Sequence, residues 1–87
     1  VADTTFNITR EEAATILYRI KAGASDSNSA TFIDNDKISQ YAEEAIANFA
    51  FNKIINGYED GSFKPISNIK RGEAAKIIAE WINKILR

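Results

Sequence analysis

The feature that most constrains this chain is a repeat inside it. "NITREEAATIL" (Asn7–Leu17) aligns with "NIKRGEAAKII" (Asn68–Ile78) at a constant offset of 71 − 10 = 61 residues. Seven of the eleven positions are identical: Asn, Ile, Arg, Glu, two Ala and the Ile at 16/77. A shared helical stripe could arise by chance, but the same Asn-Ile-x-Arg-x-Glu approach to the helix would not. A repeat of this period makes the two segments equivalent elements of neighbouring units. The chain therefore reads as one complete unit plus the closing helix of a preceding one that lacks its front half.

Both copies carry helical periodicity. In the first, from about Thr9 to Lys21, Ala13, Ile16, Leu17 and Ile20 recur at three- and four-residue spacing and define one apolar face. Thr9 and Glu12 form a capping box, and Gly23 is the expected stop. A second helix is expected from about Ser39, as N-cap, to Asn52, with Ala42, Ala45, Ile46 and Phe49 inward. The third runs from about Lys70 to Leu86, with Ala74, Ile77, Ile78, Trp81, Ile82 and Ile85 as its stripe. Between them lie the polar stretch "GASDSNSATFIDND" and the glycine-rich "NGYEDGSFKP" (Asn56–Pro65). The expected fold is all-α: a small three-helix bundle with a long glycine-rich loop. Strand content is expected to be short, at Thr31–Ile33 and Ser62–Lys64. The organisation is a single domain over 1–87: a closing helix at 1–23, a polar linker at 24–38, and a complete repeat over 32–87.

The glycine-rich loop has two readings. Gly57 and Gly61 allow positive φ, Asp60 can accept from nearby backbone N–H groups, Tyr58 and Phe63 can fold onto the helices, and Pro65 stiffens the exit. These features suit a self-packed loop that aligns two helices, and equally a loop that exposes backbone donors to a ligand. Arg10 and Arg71 are open in the same way. A cation in a first helical turn opposes the helix dipole. Either a neighbouring acid such as Glu12 or Asp34 pairs with it, or guanidinium and free N–H groups together hold an external carboxylate. Trp81 lies on an apolar stripe and reads as core, whereas Tyr18, Tyr41 and Tyr58 suit either packing or contact with a ligand.

Composition excludes several classes of function. There is no cysteine and no histidine, which removes disulfides, thiol chemistry and the commonest general base. No constellation supports catalysis, and no cofactor or metal site is expected. From Asp34, a calcium-loop pattern fails at Ser39 and Ala45, where Gly and Glu belong. With 11 Lys+Arg against 12 Asp+Glu, the net charge of −1 argues against nucleic acid. No apolar run reaches the ~20 residues that span a bilayer. The chain opens on Val1, as a mature or excised piece would, so a targeting signal could have been removed.

The motifs resemble the S-layer homology (SLH) family. Its repeat opens with Phe-x-Asp and a helix, continues through hydrophobic-Asn-Gly-Tyr-x-Asp-Gly-x-Phe-x-Pro, and closes on a helix that begins Ile-Thr-Arg-Ala-Glu. Here "FID" (Phe32–Asp34), "AEEAIANFAFNKIINGYEDGSFKP" (Ala42–Pro65) and "IKRGEAAKII" (Ile69–Ile78) match in order, and "ITREEAATILYRI" (Ile8–Ile20) looks like the closing helix of another repeat. The resemblance implies an extracellular module at a bacterial cell surface that binds an anionic secondary cell-wall polysaccharide, often one bearing a pyruvate ketal. The implied contacts are Arg10, Arg71 and Lys70 with Asn56, Gly57 and Tyr58 of the loop. Thr9, Glu12, Glu73, Asp34, Asp60, Gly61, Phe63 and Pro65 are then structural. On this reading Arg10→Ala or Arg71→Ala weakens wall binding with the fold intact. Two departures count against it. Lys70-Arg71-Gly72-Glu73 replaces Thr-Arg-Ala-Glu, which removes a capping hydroxyl and puts glycine in a first helical turn. Family members also usually carry three repeats in a pseudo-threefold unit, against about one and a half here. The alternative is therefore an interaction module that packs on further repeats or a neighbouring domain, or self-associates, without binding glycan.

Overall fold

The computed structural model describes residues 4–21 and 32–86. The expected stop at Gly23, the strand residue Thr31 and most of the polar linker lie outside these residues. Three helices form as expected: α1 (Arg10–Ile20), α2 (Glu43–Phe51) and α3 (Arg71–Trp81). Short 3₁₀ turns at Asn35–Lys37 and Gln40–Ala42 lead into α2, and α3 widens into a π-helical turn at Ile82–Leu86.

The all-α expectation needs amending. Thr5–Thr9 (β1) and Asn68–Lys70 (β2) pair antiparallel, Thr5 opposite Lys70 and Thr9 opposite Asn68, with an irregularity between. These strands are the two copies of the repeat's Asn-Ile-x entry, so the repeats join through the segments that feed their closing helices. No strand forms at 32–33 or 62–64. The N–H groups of Phe63 and Lys64, which a neighbouring strand would have taken, donate instead to the two Asp34 carboxylate oxygens, each at 2.9 Å.

The core centres on α2. Ala42, Ala45, Ile46 and Phe49 are all buried as the stripe requires, together with Ile54, Ile55, Phe63, Ile69 and Trp81. Ser39 does not cap this helix: its Oγ donates to the Glu11 carboxylate, and the helix opens through the 3₁₀ turn. The Trp81 ring is in the core as expected, with its Nε1 donating to the Lys21 carbonyl at 3.0 Å.

The expected inward face of α1 holds only in part: Ala13 and Leu17 pack against the core, but Ile16 and Ile20 do not. Its buried residues are Arg10, Glu11, Ala14 and Thr15, whereas Ile16 is 50% and Ile20 65% exposed. Burial of these polar groups is possible because each is satisfied: Ser39 N, Ser39 Oγ and the Tyr41 hydroxyl all donate to Glu11, and Thr15 Oγ1 donates to the Glu11 carbonyl. Tyr41, which from sequence suited either packing or contact with a ligand, is 53% exposed, and its hydroxyl donates to Glu11. In α3, Ile77 and Trp81 are buried but Ile78 and Ile82 are exposed. The exposed Ile16 and Ile78 line an open cavity of about 260 Å³, walled also by Phe6, Ile8, Leu17 and Ile77 among others.

A candidate ligand cavity between the two closing helices

The glycine-rich loop is held from within. Tyr58 N–H donates to the Ser62 carbonyl, Gly61 N–H to the Tyr58 carbonyl, and Ser62 N and Oγ both donate to Asp60 Oδ1. Gly61 has φ +89°, a conformation that costs other residues about 1 kcal/mol or more. Gly57 does not share it. Its requirement is space: a Cβ there would lie 2.7 Å from the Ser62 carbonyl oxygen and 2.8 Å from the Phe32 ring. The second left-handed residue is Lys64, at φ 58°, and this places its ammonium 4.7 Å from the centre of the Tyr58 ring.

The loop folds back onto the start of α1. Arg10 N–H donates to the Ser67 carbonyl and Glu11 N–H to the Pro65 carbonyl, while Glu12 N–H donates to Thr9 Oγ1 and Thr9 N–H to the Glu12 carboxylate. The capping box is therefore present, and the first three N–H groups of the helix are all taken. At α3 only half the box exists. The Glu73 carboxylate accepts from Lys70 N–H, but a lysine side chain has no acceptor to return the bond. Arg71 N–H goes to the Thr4 carbonyl at 2.7 Å.

The Arg10 side chain is 4% exposed. Its ion-pair partner is neither Glu12 nor Asp34 but Glu73 of α3, with Nη1 to Oε2 at 2.8 Å. Nε donates to the Phe63 carbonyl at 2.7 Å and Nη2 to the Asn56 carbonyl at 3.4 Å, and the guanidinium lies against the Tyr58 and Phe63 rings at 4.8 and 4.7 Å. Partners so far away in sequence are brought here by the β1–β2 pairing, which sets the start of α1 beside α3 and the loop. Glu73 also accepts from the Tyr58 hydroxyl at 2.8 Å. Partial burial raises the Glu73 pKa, but the bonds from Tyr58 and Lys70 N–H and the Arg10 charge outweigh it and hold the carboxyl below its usual value. Burial and the same hydrogen bond push the Tyr58 hydroxyl up.

Around this network lies a cavity of about 190 Å³. Four of the six residues singled out for ligand contact line it: Arg10, Asn56, Gly57 and Tyr58. Glu73, Ile54, Ile77 and Lys76 complete the wall. Arg71 and Lys70 do not reach it. The Arg71 guanidinium lies over the Phe6 ring at 5.5 Å, on a separate, exposed face. Lys76 escaped the motif reading because it belongs to no motif. It occupies the position of Thr15 in the other copy, and that mismatch was the one available signal.

One complete repeat and the closing helix of a second, joined by a strand pair with the loop docked on that closing helix, define a small repeat-built, mainly helical unit. The chain belongs to the S-layer homology domain family, which it matches over residues 31–75. It is 35% identical over 83 residues to a cellulosome-anchoring protein of Acetivibrio thermocellus, an alignment covering 91% of this chain and 18% of that protein. Identity reaches 38% over 81 residues with cell surface glycoprotein 1 of the same organism, covering 83% of this chain and 4% of the glycoprotein. An amylopullulanase of Thermoanaerobacterium thermosulfurigenes is 36% identical over 83 residues, 90% of this chain and 4% of the enzyme. The chain thus spans less than a fifth of each of these relatives. No solved structure matches it. Among the described residues, no helix is long and apolar enough to cross a membrane.

Proposed function

We propose that this chain is a non-catalytic module that anchors a larger protein to the surface of a bacterium by binding an anionic secondary cell-wall polysaccharide. Family membership and the names of two relatives, a cellulosome-anchoring protein and a cell surface glycoprotein, support the anchoring role. The observation that carries the glycan reading is the cavity that gathers Arg10, Asn56, Gly57 and Tyr58 from two repeats onto one wall. An aromatic ring, an exposed backbone turn and basic groups together suit a sugar that carries a carboxylate, such as a pyruvate ketal. Lys70 and Arg71 form a second basic spot at the start of α3, open to the same polymer. Co-sedimentation with purified wall sacculi tests the reading. The chain is expected to pellet with untreated sacculi and to stay in solution once the secondary polysaccharide has been extracted; indifference to that extraction rejects glycan anchoring.

A second reading, packing on further repeats, on a neighbouring domain or on another copy of the chain, is favoured by a different observation. The cavity between α1 and α3 is lined by apolar side chains, with Ile16 and Ile78 exposed at it. The two readings use different faces and are compatible.

A further inference from the structure

We infer that Lys76 reads the ligand's negative charge, and that Arg10 shapes the cavity without binding the anion itself. This deepens the glycan reading and rests on it. Each nitrogen of the Arg10 guanidinium already has a partner within the protein: Nη1 pairs with Glu73, Nε donates to the Phe63 carbonyl and Nη2 makes a long bond of 3.4 Å to the Asn56 carbonyl, which uses three of its five N–H donors. Both neighbouring rings lie against it, and Glu73 cancels its charge at 2.8 Å. The N–H groups of α1's first turn, the other donors a carboxylate could use there, go to Ser67, Pro65 and Thr9. A ligand entering the cavity therefore meets a guanidinium whose charge is already paired with Glu73 and whose faces lie against two rings.

Two polar groups on the wall are left over. Lys76, one turn beyond Glu73 on α3, is exposed and has no ion-pair or hydrogen-bond partner among the described residues. The Asn56 side-chain amide is likewise uncommitted on the loop side, since only its backbone carbonyl is engaged. A carboxylate in the cavity would be held by one ammonium with an amide beside it. That is a point-charge contact, tolerant of geometry and sensitive to salt, rather than the bidentate fork of an arginine. Thr15 stands at the equivalent position of α1, so this cation belongs to the complete repeat alone.

The test is calorimetric titration of the full chain with wall polysaccharide bearing pyruvate ketals, and with the same polymer after mild acid has removed them. Lys76→Gln, which keeps most of the stem and removes the charge, is expected to weaken binding to the ketal-bearing polymer about tenfold. Binding to the deketalised polymer should be unchanged by that substitution. Lys76→Arg should restore affinity to within about twofold, and Lys37→Gln, on a different surface, should behave as the parent chain. Equal melting temperatures exclude a folding effect. If Lys76→Gln binds the ketal-bearing polymer as tightly as the parent, or loses affinity equally for both polymers, Lys76 does not read the charge. If the parent chain binds neither polymer, the glycan reading itself fails and this inference falls with it.

Discussion

Arg10 and Arg71 occupy the same position in the two copies of the repeat, and the structure puts them to opposite uses. Arg10 is sealed between two rings and paired with Glu73, whereas Arg71 is exposed above Phe6. Truncating one partner of a buried pair strands the other charge and the carbonyls it served, at a cost of several kcal/mol. Glu73 is only partly buried, so Arg10→Ala is expected to cost about 2–3 kcal/mol in a urea titration, and Arg71→Ala under about 1 kcal/mol. Equal costs would mean that the Arg10 pair contributes nothing special. The expectation that Arg10→Ala weakens wall binding with the fold intact is checked by a melt of the same variant beside its wall co-sedimentation. Acid should act through the same network. Glu73 and Asp34 have carboxyls held below their usual values in the folded chain, Asp34 because the Phe63 and Lys64 N–H bonds outweigh its burial. Groups of this sign bind protons more readily when unfolded, so their stabilisation is present above pH ~4–5 and is lost as pH falls through the lower folded values. The urea midpoint should drop between pH 6 and pH 3, and Glu73→Gln should flatten that drop. The identity of Arg10 as a special residue was legible in the repeat. Its partner was not, because Glu73 lies 63 positions away and is brought close only by a strand pairing with little local signal.

At the scale of elements, the sequence marked helices and loop correctly, but not the way they face. Hydrophobic spacing placed Ile16 and Ile20 inward on α1; tertiary packing instead buries Arg10 and Glu11, whose partners sit on the loop and at Ser39, and Thr15, whose hydroxyl donates to the Glu11 carbonyl of the same helix. Spacing can see an apolar stripe, but not that a polar stripe beside it will be fully hydrogen-bonded. The loop shows the same limit. Two glycines looked alike, yet Gly61 needs its φ and Gly57 needs its missing Cβ. Gly57→Ala must push into a carbonyl and a packed ring, for an expected loss of about 1–3 kcal/mol. The capping difference was visible in sequence and survives in the structure. Because α3 has only the carboxylate half of its box, Lys70→Thr is expected to add a hydroxyl acceptor for the Glu73 N–H and stabilise the chain by about 0.5–1 kcal/mol. Thermal melts of the two variants should move in opposite directions, and a Lys70→Thr melt at or below the parent would show that the missing half-box costs nothing.

For the whole molecule, the two closing helices explain where its apolar surface went. The β1–β2 pairing sets equivalent residues from both copies around one opening: Ile8 and Ile69, Ala13 and Ala74, Ile16 and Ile77, Leu17 and Ile78. A chain this small needs most of its apolar residues in the core; Ile69 and Ile77 are buried there, but Ile16 and Ile78 are left exposed at the opening, with Ile20 and Ile82 exposed further along the same two helices. Contiguous apolar surface of this kind favours association. The chain alone in solution should therefore sediment above its 9.7 kDa monomer mass in a concentration-dependent way. Ile16→Glu should return it to the monomer. Ile16 is half exposed, so that change should leave the melting temperature within a few degrees of the parent at concentrations where both are monomeric. Binding to wall polysaccharide should also be unaffected by Ile16→Glu, because Ile16 does not line the cavity that holds Tyr58 and Lys76. A parent chain that stays monomeric up to about 1 mM, a concentration at which even a weak dimer forms, would reject self-association through this face.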